Sequence, residues 1–186
     1  MPALGLKIKT GFAIAILLEG EGDTLRATRR EVVALSTSEV PDSQQPYHPA
    51  LDLPATSGAA VTRRATAAVR KTARREMAAL LKSLPTLRRA GLVVGSVIDP
   101  SQIANPHIRA HALEGKLFRQ VVAAELSRHG VAHVVLIERD AYTQAAREMH
   151  VDAGELREKI DTLGKGHIRP WRSEEKLAAL AAWCQL

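Results

Sequence analysis

Aromatic side chains are scarce, with Phe, Trp and Tyr together making up 3% of the 186 residues. That argues against a surface built to stack exposed bases, which needs aromatic platforms. Cysteine is scarcer still. Cys184 stands alone, so no disulfide can form within the chain, and a reducing cytoplasm is the expected home. No histidine lies at motif spacing from Cys184 to make it a catalytic thiolate. No run approaches the roughly 18–20 apolar residues that cross a bilayer. The first residues also lack a basic stretch followed by an apolar one, so neither export nor a membrane partner is expected. Glycine-rich phosphate loops, dinucleotide fingerprints and zinc-type cysteine sets are missing too.

What is present is a chain able to bury a core. Hydrophobic residues reach 46%, enough at this length for a single domain expected to span 1–186. Lys and Arg outnumber Asp and Glu, giving a net charge of +6. A polyanion, DNA or RNA, is therefore a natural partner, with an acidic protein as the other candidate.

Hydrophobic patterning sets the order of elements. Runs at about 3–10, 12–18 and 25–36 read as strands separated by short breaks, an antiparallel meander whose polar third member suits a sheet edge. Residues 38–58 hold four prolines and read as a loop. A helix follows from about 59 to 84, with Val69, Ala73, Met77, Leu80 and Leu84 on one face. Arg63, Arg64, Arg70, Lys71, Arg74, Arg75 and Lys82 fall on the opposite face, where they could follow a phosphate backbone. Gly91 to Ile98 reads as a buried strand. Asn105-Pro106 opens a helix that runs to about His129, and 131–137 is a fifth strand. Helices at about 140–149, 152–163 and 173–184 complete an α/β order with a mixed sheet.

One stretch stands out. In Gly5-Leu6-Lys7-Ile8-Lys9-Thr10-Gly11-Phe12-Ala13, two lysines share one face of a strand that ought to be central. This stretch resembles the opening of crossover-junction resolvases in the ribonuclease H-like superfamily, which reads Gly-aliphatic-Asp followed by Thr-Gly-aromatic-Ala. Val93-Val94-Gly95-Ser96-Val97-Ile98 resembles their fourth strand, and Ser173-Glu174-Glu175-Lys176-Leu177 resembles the start of their final helix. The resemblance implies a mixed five-stranded ribonuclease H-like sheet flanked by helices. It also implies a nuclease ancestry, in which clustered carboxylates hold two divalent cations.

The departures weigh more heavily than the matches. Lys7 stands where the resemblance implies Asp, and Gly95 where it implies Glu; only Glu174 and Glu175 remain near a ligand position. An ammonium beside a dication is repelled by roughly 4 kcal/mol per unit charge at about 4 Å and an effective dielectric of ~20. The expectation is a degenerate site comprising Lys7, Lys9, Gly95, Glu174 and Glu175, with Glu174 or Glu175 meeting the lysines. No catalytic residue, metal or cofactor is assigned. The alternative is an active metal-dependent nuclease whose carboxylates moved to Asp99, Glu114 or Glu138.

Other candidates are weaker. His107, His111 and Glu114 share a helix face at i, i+4 and i+7, a donor set for a transition metal, yet a polar helix face yields that spacing freely. Asn105 and Arg109 could meet an anion at the same helix start. Glu138-Arg139-Asp140 reads as a salt-bridged strand end.

Overall fold

A computed structural model of the chain describes residues 1–165 and 167–186. Strand β1 (Ala3–Lys9) turns Leu4, Leu6 and Ile8 to one face of the sheet and Gly5, Lys7 and Lys9 to the other. At Thr10-Gly11 the chain reverses, with Gly11 at φ +82°, a conformation that favours glycine. Strand β2 (Phe12–Glu19) then pairs antiparallel with β1, and β3 (Arg26–Ala34) pairs antiparallel with β2. Strands β4 (Arg89–Val94) and β5 (Ala132–Ile137) join on the other side in parallel, giving the order β3-β2-β1-β4-β5. The expected meander, mixed sheet and polar edge strand are all seen. β1 lies at the centre.

Helices cover both faces. The long helix α1 (Ala55–Lys82) and α2 (Pro106–Arg128) pack on the Leu4, Leu6 and Ile8 side, where Val69, Met77, Leu92, Phe118 and Leu126 fill the core. On the opposite side lie α3 (Ala141–Met149), α4 (Ala153–Leu163) and α5 (Ser173–Trp183). Helix α5 sits almost against the sheet backbone. A Cβ built on Gly5 would fall 1.7 Å from the Ala178 carbonyl oxygen, and one on Gly91 would fall 2.1 Å from that of Ala181. The fully buried run Ala178 to Ala182 supplies the small side chains this approach needs. Its consequence is positional, because the first turn of α5 is brought to the end of β1.

Two boundaries differ from expectation. Helix α1 starts at Ala55, inside the stretch read as loop, and two 3-10 turns, Pro41–Gln44 and Pro49–Asp52, lie within the part before it. Pro54 is compatible with a helix start, and Gly58 lies within the helix, where a Cβ would press within 3.2 Å of Ala50. Strand β4 stops at Val94 instead of reaching Ile98, and Val97 and Ile98 are exposed. Its neighbours run out there: Val94 pairs with Ile137, the last residue of β5, and β1 pairs no further than Val93. Among the described residues no helix is long and apolar enough to cross a membrane.

The close seat of α5 yields a prediction. Gly5→Ala will destabilise the protein by about 3 kcal/mol or more, the upper end of overpacking costs, because the obstructing atom is backbone. Urea unfolding measures this, and a change below about 1 kcal/mol would show that α5 can lift away.

Candidate functional site

Strands β1, β4 and β5 are parallel, so their carboxyl ends open on one edge of the sheet, where α/β proteins place their ligands. A cleft of about 390 Å³ lies at that edge, with Lys7, Lys9, Gly95, Ser96, His111 and Glu138 in its walls. Gly95 contributes no bulk, since a Cβ added there would meet nothing within 4 Å.

Lys7 is among the largest fully buried side chains of the described residues, only 1% exposed, and it does not reach solvent. Its Nζ donates to Glu138 Oε2 at 2.5 Å. The register explains the pairing. Lys7 lies beside Val93 of β4, which lies beside Leu136 of β5, and Glu138 is two residues further along, on the same face as Leu136. The expectation that Glu174 or Glu175 would meet the lysines holds for Lys9 alone, whose Nζ donates to Glu174 Oε1 at 3.3 Å. The Glu174 carboxyl is held below its ordinary value, first by its own backbone N–H at the start of α5 and then by Lys9 and Lys7. Glu175 points elsewhere. It is buried and accepts from the Arg172 backbone N–H at 2.9 Å and from Arg30 of β3 at 2.8 Å, because the next residue on a helix is rotated about 100°.

Among the described residues, Asp99, Glu114 and Glu138, the carboxylates of the alternative reading, form no metal-ligating group. Asp99 is exposed and accepts from the Ser101 N–H, and bonds to Ser101 hold its carboxyl below the usual range. Glu114 is 1% exposed and Glu138 is taken by Lys7. Instead of a three-residue salt-bridged strand end, Glu138 turns to Lys7 and leaves Arg139 paired with Asp140 at 3.2 Å.

Histidines do gather. Among the described residues, His48, His107 and His111 form a group of metal-ligating side chains whose donor atoms lie within 4.8 Å of one another. Glu114 Oε1 accepts from His48 Nδ1 at 2.7 Å and from the Tyr47 N–H at 3.3 Å. Sequence spacing finds His107 and His111; His48, nearly sixty residues earlier in a loop, gives no periodic signal. Asn105 caps α2 through the Ile108 N–H, while Arg109 donates to the carbonyls of Ile103 and Ala104. The guanidinium expected to meet an anion is thus spent on the preceding loop.

All seven basic residues of α1 are exposed. Arg64 lies 3.4 Å from Asp42 and Arg75 2.7 Å from Glu76, whereas Arg70 and Arg74 line a groove against α2 with Gln120 and Arg128. Burial pushes the Cys184 thiol up to about 12, so it stays protonated and is no nucleophile at neutral pH.

No protein-family model matches the sequence, and no curated protein matches it. Solved structures do. The Thermus thermophilus RuvC structure aligns with a TM-score of 0.57 at 12% identity, over 99% of this chain and 92% of that one. T. thermophilus RuvC in complex with a Holliday junction substrate aligns with a TM-score of 0.59 at 11% identity, over the same shares. At such identity the likeness speaks for architecture alone: this chain has the ribonuclease H-like fold of these structures.

Proposed function

We propose that the protein is a nucleic-acid-binding descendant of a resolvase-like nuclease whose metal centre has given way to an ion pair. The observation that carries this reading is the buried Lys7 ammonium bonded to Glu138 at the carboxyl end of the central strand. In the resembled resolvases a catalytic Asp is expected at the position Lys7 holds. An ammonium there neutralises the Glu138 carboxylate and repels a dication. Gly95, just past the end of β4, offers no side-chain ligand atom.

Support for nucleic acid as the partner comes from the cationic face of α1. Arg63, Arg70 and Arg74 follow one another on a single stripe, and two of them wall the groove beside α2. The structural neighbour seen with a Holliday junction adds a precedent for a junction substrate on this fold. A guanidinium row of this kind recognises phosphates through charge and not base identity, so binding will be tolerant of sequence.

Two outcomes test the reading. First, a four-way junction or duplex DNA will bind without divalent cations, and it will not be cut when Mg²⁺ is added. Charge reversal at Arg63, Arg70 and Arg74 will make the plot of log affinity against log salt shallower by about 3, near one unit for each phosphate no longer neutralised. Unchanged affinity in that variant, or Mg²⁺-dependent cleavage that disappears in Glu138→Gln, contradicts it.

Second, the ion pair will respond asymmetrically, because Lys7 is buried while Glu138 is 43% exposed. Glu138→Ala strands an ammonium in the interior and will cost about 3 kcal/mol. Lys7→Met leaves a carboxylate that water can reach, and will cost less. The double variant will unfold close to Lys7→Met alone. Additive losses in a double-mutant cycle would deny the coupling.

A further inference from the structure

We propose that His48, His107 and His111 form a binding site for a transition-metal dication of the zinc class, held in place by Glu114. Three imidazoles meet here from two separate elements. His107 and His111 stand one turn apart at the start of α2, and His48 comes from the loop that leads into α1. Their ring centroids lie 4.3–4.8 Å apart. The His107 and His111 Nε2 atoms are 3.2 Å apart. Metal–nitrogen bonds of 2.0–2.1 Å in a tetrahedral site place donor atoms about 3.3 Å from each other, so that pair already has the spacing. The third imidazole is close by, with all three donor atoms within 4.8 Å of one another.

Glu114 gives the cluster a built character that a chance histidine patch lacks. It is 1% exposed, and a buried carboxylate accepts hydrogen bonds but cannot donate them. Its bond with His48 therefore fixes the proton on Nδ1 and leaves the Nε2 lone pair free. Among the described residues, that Nε2 is buried and without a hydrogen-bond partner, as is Glu114 Oε2. A carboxylate that orients one imidazole while its other nitrogen faces further imidazoles is the arrangement that supports histidine ligands in metal sites. The neighbouring Tyr47 N–H bonds to the same carboxylate oxygen and fixes its position.

The donor set selects the metal. Neutral imidazoles suit zinc, copper, nickel or iron, whereas Mg²⁺ and Ca²⁺ require oxygen ligands. Three protein ligands leave a fourth tetrahedral position for water or an incoming ligand. His111 also belongs to the wall of the cleft that holds Lys7, so the site adjoins the cleft while remaining separate from the Lys7–Glu138 pair. Bound metal would tie the segment that leads into α1 to the start of α2.

The test uses the full chain after chelator treatment and dialysis. Zn²⁺ is titrated against a chromophoric chelator, and Co²⁺ is followed by its visible d–d absorption. One equivalent will bind per chain, with Co²⁺ giving the intense bands of tetrahedral coordination, and excess Mg²⁺ will not compete. The His107→Ala/His111→Ala variant, altered at two exposed positions and checked for folding by circular dichroism, will lose the site. Glu114→Gln will weaken binding by about 10–100-fold while keeping the stoichiometry. Absence of stoichiometric Zn²⁺ binding by the wild-type chain overturns the proposal. So does binding that survives in the double histidine variant, because the ligands would then lie elsewhere.

Discussion

A charged group inside a protein must find a counter-charge, and Lys7 places that demand at the centre of the sheet. Removing an ammonium from water costs roughly several kcal/mol even after relaxation, and one well-placed carboxylate repays much of it. The fold satisfies the demand through strand register. With Lys7 level with Val93 and Leu136, the first side chain past β5 on that face is Glu138, and it closes the pair at 2.5 Å. Helix α5 covers the same face at backbone distance over Gly5 and Gly91 and brings Glu174 to Lys9. Two lysines that look misplaced in a central strand are thus each answered by a glutamate from the other end of the chain.

The electrostatics of the cleft follow from those pairs. A ribonuclease H-like sheet gathers the ends of β1, β4 and β5 on one edge, and any chemistry there is decided by the side chains at the edge, since the architecture itself specifies none. In this chain they are ammonium, glycine and a carboxylate already engaged. The likeness to the RuvC structures speaks for the frame alone, and the proposal that binding has replaced two-metal hydrolysis rests on the residues at its edge. Free positive charge lies elsewhere, on the exposed face of α1.

Much of this is legible in the sequence because it depends on local periodicity. Alternating side chains set the strands, the apolar stripe of α1 matches the buried Val69, Ala73, Met77 and Leu80, and Asn105-Pro106 marks the start of α2. Boundaries are less legible where tertiary packing decides them: β4 ends when its partners end, and α1 extends back to Ala55 against the preceding turn. The partner of Lys7 and the recruitment of His48 are pairings across 131 and 66 residues, respectively, for the bonds to Glu138 and Glu114. Register and loop path create them, and no spacing along the chain encodes either one. Glu138 reads only as a strand end because Arg139 and Asp140 beside it supply a sufficient local explanation.

The central claim is that Lys7 is a buried ammonium bonded to Glu138. Nitrogen-15 spectroscopy of the lysine side chains addresses it directly. Surface ammonium protons exchange with water too fast to be seen under ordinary conditions, whereas a buried and hydrogen-bonded one persists. The account predicts a slowly exchanging ammonium signal that disappears in Lys7→Met and broadens or shifts in Glu138→Gln. A Lys7 signal that exchanges as fast as those of surface lysines, or that ignores the change at Glu138, would contradict it.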